Sequence, residues 1–187
     1  AERIVGKGTI PLVMESFRVG SIAWSNRYFP DGQFTKKSFA IAEIAAKAVL
    51  DEALDAYHPS LWDTAYGSAG TVGAIADVLV AAGWPAGVVT QDGLDWLLDK
   101  LLAAQGADRL KIAGMREDRK AIIGGGVSIM RAVFSLLGIQ TLAQAAGGLR
   151  HGLICDLLGA DNHEDDLRVK TVRRLASQFG VATTHAQ

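Results

Sequence analysis

The chain has 187 residues, with 19 Lys plus Arg against 20 Asp plus Glu and a formal net charge of −1. It is 49% hydrophobic and 21% charged, the balance of a globular chain able to bury one good-sized core. The near-neutral charge excludes a basic nucleic-acid surface, so a polyanion would have to be met by local donors. The one cysteine, Cys155, excludes a disulfide framework and fits a reducing, cytoplasmic compartment.

In chain order, residues 2–5 and 9–17 read as two strands around the Gly6-Lys7-Gly8 turn. Residues 18–30 read as irregular, with an aromatic cluster of Trp24, Tyr28 and Phe29. A long helix is expected over residues 38–57, its charges Glu43, Lys47, Asp51 and Asp55 forming one polar stripe opposite an apolar, Ala-rich face. A short strand over 62–66 leads through Gly67-Ser68-Ala69-Gly70-Thr71 into a helix over 71–82. Thr90 is the expected cap of a helix over 92–104, whose Leu94, Leu97, Leu98, Leu101 and Leu102 make a helical stripe. A charged helix over 116–120 precedes Gly124-Gly125-Gly126. The helix over 127–137 carries the single charge Arg131 and should be nearly all buried. A strand over 139–145 is followed by Gly147-Gly148 and a helix over 149–158. Residues 159–166 read as an acidic linker and 167–179 as an amphipathic helix. The longest apolar stretch, 75–89, is interrupted by Asp77, Gly83 and Pro85, so no transmembrane span is expected. Two strands before the first helix, then strands and helices in alternation, indicate an α/β domain with helices against a mixed sheet.

The Gly67–Thr71 stretch carries the chemistry. A strand, a Gly-rich turn and a helix start leave unpaired N–H groups pointing toward where an anion can sit. Ser68 and Thr71 add hydroxyls, and glycine permits close approach and positive φ. No Lys follows the glycines, so this is not a Walker loop, and the dinucleotide spacing is absent. A plain capping turn is the competing reading. The four histidines, His58, His151, His163 and His185, are scattered without a metal-ligand pair.

Five stretches read together resemble the exopolyphosphatase and guanosine pentaphosphate phosphatase family. They are Glu15-Ser16-Phe17-Arg18-Val19-Gly20-Ser21 with Tyr28-Phe29-Pro30, Gly67-Ser68-Ala69-Gly70-Thr71, Arg116-Glu117-Asp118-Arg119, the run 124–130, and Gly147-Gly148-Leu149-Arg150-His151-Gly152. The resemblance implies an actin-like fold of two ribonuclease-H-like domains, with residues 1–158 as the second domain and 159–187 as a linker and first helix of a helical region. It implies hydrolysis of terminal phosphate from polyphosphate or guanosine pentaphosphate, with water and Mg2+, and a homodimer in the parent protein. The family's catalytic glutamate belongs to the first domain, and its acidic Asp-x-Gly-Gly-Gly-Ser metal loop precedes the position of Ala1. This chain is therefore expected to be a fragment, to hold neither catalytic base nor metal ligands, and to be inactive alone. Its expected phosphate or nucleotide contacts are Gly67, Ser68, Gly70, Thr71, Arg18, Gly20, Ser21, Gly147, Gly148 and Arg150. Gly124–Gly126 read as close-packing glycines or as a wall beside a nucleoside. The alternative is a non-catalytic phosphate- or nucleotide-binding module of the same fold.

Overall fold

The computed structural model describes residues 1–8, 10–51, 54–148, 151–154 and 157. The chain divides into two compact units, 1–146 and 147–187. The expected boundary near Gly159, the acidic linker and the amphipathic helix lie outside the described residues.

The first unit opens with a hairpin. Strands β1 (Glu2–Lys7) and β2 (Ile10–Ser16) pair antiparallel, with Ile4 opposite Met14 and Val5 opposite Val13. Alternation along the pleat turns Val5 and Val13 toward the body, while Ile4, Ile10, Leu12 and Met14 stay 59–64% exposed. Arg3 packs beneath the hairpin, its guanidinium 4.9 Å from the Phe17 ring and 5.5 Å from the Tyr57 ring. Tyr57 Oη donates to the Arg3 carbonyl at 3.0 Å.

Residues 21–28, read as irregular, form helix α1 (Ser21–Tyr28). Its polar residues hide the helical signal, and burial of Trp24 and Ser25 decides the conformation. The Trp24 indole N–H donates to the Ala42 carbonyl at 3.0 Å. Helix α2 (Lys36–Asp51) follows and ends earlier than expected, giving way to a 3-10 turn at Leu54–Tyr57. It buries Phe39, Ala42, Ala46 and Leu50 at helical spacing. Its charged stripe is not simply a solvated face. Glu43 pairs with Arg131 at 2.6 Å and Lys47 Nζ donates to Ser135 Oγ at 2.7 Å.

The sheet of this unit has order β3-β5-β4. Strand β3 (Ala65–Gly67) runs parallel to β5 (Thr141–Gln144), and β4 (Val88–Thr90), which the sequence did not announce, runs antiparallel to it. Helix α3 (Ala69–Ala81) leaves β3 directly. Thr90 caps α4 (Gln91–Ala104) as expected, its Oγ1 accepting from the Gly93 N–H at 3.1 Å. Helix α4 buries Leu94, Leu97 and Leu101 completely. A short helix, α5 (Glu117–Lys120), precedes α6 (Ile123–Leu137).

Helix α6 is the axis of the core. It packs against α1, α2, α3 and α4, and residues 123–130 are all buried. It starts earlier than expected, so Gly124, Gly125 and Gly126 lie inside its first turn rather than before it. Its one charge, Arg131, joins three helices by pairing with Glu43 on α2 and Asp95 on α4.

Candidate phosphate site

The Gly67–Thr71 turn is built by the step from β3 into α3. Gly67 closes the strand, and a Cβ there would lie 2.5 Å from Leu142 Cδ2 and 3.0 Å from Val72 Cγ2. A Cβ there would have to push these side chains aside, so the glycine lets β3, β5 and α3 pack closely. The left-handed residue of the turn is Ala69, with φ 71°, not a glycine. A non-glycine residue held there is strained by about 1 kcal/mol or more.

Ser68 occupies the N-cap position of α3 but makes no side-chain cap hydrogen bond. Ser68, Ala69 and Gly70 are exposed. What lies over the turn is a cation. A Cβ on Gly70 would stand 2.7 Å from Nη1 and 2.9 Å from Nη2 of Arg119, so the guanidinium rests on the bare Cα face. Arg119 was part of a recognisable run but not a proposed contact. Its partner is remote in sequence, so no local spacing could point to it.

Two further helix starts converge here. The N-terminal run of α6 is packed so tightly on α1 that a Cβ on Gly125 would meet Ser25 N at 2.6 Å and Ser21 O at 2.7 Å. The Gly125 N–H donates to the buried Ser25 Oγ at 3.0 Å, so α1 supplies the cap that α6 lacks locally. A Cβ on Gly126 would meet Thr71 Cγ2 at 2.8 Å and Ser21 Cβ at 3.7 Å. Ser21 and Thr71, proposed from separate stretches, thus flank the same glycine, and the 124–126 run is a packing element. The starts of α1, α3 and α6 thus pack on one another through Ser21, Thr71 and Gly126, and Arg119 lies against Gly70 of α3.

Arg18 is exposed between β2 and α1, and Gly20 is the extended N-cap of α1 with open space around its Cα. Gly147 and Gly148 belong to the second unit, where the Gly148 N–H donates to His151 Nδ1 at 3.2 Å. Leu149 and Arg150 lie outside the described residues. Trp24 and Phe29 are core residues, each 5% exposed. Among the described residues no group of three His, Cys, Asp or Glu side chains is placed to hold a metal ion, and no helix is long and apolar enough to cross a membrane.

A domain whose mixed sheet is flanked by helices in this order has the architecture of the actin-like class. Residues 1–161 match the Ppx/GppA phosphatase family, and the chain belongs to that family. It is 33% identical over 186 residues to the guanosine-5'-triphosphate,3'-diphosphate pyrophosphatase of Aeromonas hydrophila, and 30% identical over 184 residues to the Vibrio cholerae protein of the same name. The alignments span 100% and 98% of this chain but only 37% of each relative. The fold matches the Aquifex aeolicus Ppx/GppA family member with a TM-score of 0.70 at 19% identity, over 87% of this chain and 54% of that one. It matches a Cytophaga hutchinsonii exopolyphosphatase with a TM-score of 0.69 at 20% identity, over 85% of this chain and 54% of the other.

Proposed function

We propose that this chain is one wall of a phosphohydrolase site that removes terminal phosphate from guanosine pentaphosphate or inorganic polyphosphate. The observation that carries the reading is the exposed start of α3, left without a Ser68 cap, with the Arg119 guanidinium laid across Gly70. In-line attack on a terminal phosphoryl group calls for positioned donors to its equatorial oxygens, because the transition state is loose and the catalysis is mostly electrostatic. The first N–H groups of α3, the Ser68 and Thr71 hydroxyls and the Arg119 fork are of that kind. Their role is to hold and orient the terminal phosphate.

Among the described residues no group of three His, Cys, Asp or Glu side chains is placed to hold a metal ion. We infer that the water-activating carboxylate and the Mg2+ ligands belong to other parts of the enzyme, as the family resemblance implies. The same reading makes this chain inactive by itself and places the chemistry in a cleft between two domains.

Gly70 supplies the test. In the intact protein, Gly70→Asp puts bulk and negative charge where Arg119 rests, and hydrolysis of both guanosine pentaphosphate and polyphosphate should fall about 100-fold or more. Unchanged rates on both substrates with an intact fold would remove the turn from the site. Rates on the two substrates, measured side by side, assign the preference.

A further inference from the structure

Arg119 does not stand alone. Arg116, the residue that precedes α5, grips Asp118 with two hydrogen bonds, Nε to Oδ1 at 3.0 Å and Nη2 to Oδ2 at 2.9 Å. The same Asp118 Oδ2 lies 3.6 Å from Arg119 Nε. The Arg119 fork therefore has two sides. Its Nε edge is turned toward Asp118, and its Nη1 and Nη2 lie against Gly70 at the start of α3. Exposure falls along the series, from 64% for Arg116 and 54% for Asp118 to 30% for Arg119.

We propose that Arg116 and Asp118 are positioning residues for the phosphate site: Arg116 fixes the Asp118 carboxylate, and Asp118 holds the Nε edge of Arg119 so that its two terminal nitrogens stay directed at the turn. The inference rests on the reading of the Gly67–Thr71 turn as a phosphate site. An arginine side chain loses rotamer freedom when it binds, and a partner that fixes it beforehand lowers that cost. A bidentate pair is the form of surface ion pair most able to hold such a geometry, whereas an ordinary exposed pair contributes little.

The sign of one substitution separates positioning from plain charge. Asp118 is an anion beside an anion site. If it acted only through its field, Asp118→Asn would tighten phosphate binding. If it orients Arg119, the same change loosens it.

The test uses inorganic tripolyphosphate as the probe, with dissociation constants measured by calorimetry on the intact protein and folding checked by thermal melts. Arg119→Met should weaken binding about 10- to 100-fold, the range for a hydrogen-bonded charged contact. Asp118→Asn should weaken it about three- to fivefold, the ceiling for an exposed ion pair, and Asp118→Glu should recover most of that loss. In the Arg119→Met background Asp118→Asn should change nothing further, because its effect passes through Arg119. If the native protein fails to bind tripolyphosphate, or Arg119→Met binds as well as native, the phosphate site itself falls. If Arg119→Met weakens binding but Asp118→Asn tightens it, leaves it unchanged, or weakens it equally in both backgrounds, the site stands and the positioning role is overturned. An Asp118→Glu protein no better than Asp118→Asn overturns it as well.

Discussion

Replacing Gly125 by alanine tests whether the N-terminal run of α6 is a packing joint. On propensity alone, alanine in a helix interior gains about 1 kcal/mol over glycine. Here the new Cβ would sit 2.6 Å from Ser25 N and 2.7 Å from Ser21 O. Both are backbone atoms of α1 and cannot rotate aside, so α1 and α6 must separate by several tenths of an ångström. Overpacking of this kind costs roughly 1–3 kcal/mol. The shift also stretches the 3.0 Å bond from the Gly125 N–H to Ser25 Oγ, and leaving that buried pair unmade costs roughly another 1–3 kcal/mol. Against the propensity gain, a net loss of about 1–5 kcal/mol is expected. Urea unfolding followed by circular dichroism measures it. Gly124→Ala is the control, because its Cβ would meet only ring atoms of Phe34 and Phe29, at 3.0 and 3.3 Å. Side chains can yield there, so that variant should stay within about 1 kcal/mol of the native chain. A Gly125→Ala chain as stable as Gly124→Ala would refute the joint.

Three other outcomes follow from the same packing. Arg131→Met strands the Glu43 carboxylate, which is only 19% exposed, and should cost about 2–3 kcal/mol in the same unfolding assay. Arg3→Met should stabilise the chain by about 1 kcal/mol, because the three guanidinium nitrogens are buried without a hydrogen-bond partner, and the stacking on Phe17 and Tyr57 with the attraction of Glu15 offsets only part of that desolvation; a clear loss of stability would contradict this. Burial, and then Glu15, push the Tyr57 hydroxyl above its ordinary pKa of 10.0. A proton held more tightly in the folded state than in the unfolded one contributes stability that is complete below the ordinary value and is lost as pH rises through the folded one. Tyr57→Phe should therefore be less stable near neutrality by about 1 kcal/mol for the lost bond to Arg3, yet lose less stability than the native chain in an alkaline titration.

Much of the fold is written in local pattern. The leucine stripe of α4, its Thr90 cap, the hairpin and the step from β3 into α3 depend on residues close in the chain, and periodicity reveals them. What escaped is fixed by contacts between distant segments. Helix α1 is held by Trp24 and Ser25 against α2 and α6, and nothing in its own sequence announces it. The α2 stripe looked solvated because its partner, Arg131, lies on α6; the solitary charge in that apolar helix was the available clue. At the candidate site, the turn was legible from its glycines, but their reasons were not. Gly67 answers to Leu142, Gly70 accommodates Arg119, and the positive φ falls on Ala69.

The glycine joint also has a mechanical consequence. Gly125 seats the α1 backbone and Gly126 seats Thr71, with no free space left at either contact. Sliding the turn on its own would open voids or force overlaps in a close-packed interior that resists both. The start of α3 is thus braced like an anvil. On the reading proposed above, its donors would stand in place before a phosphate arrived.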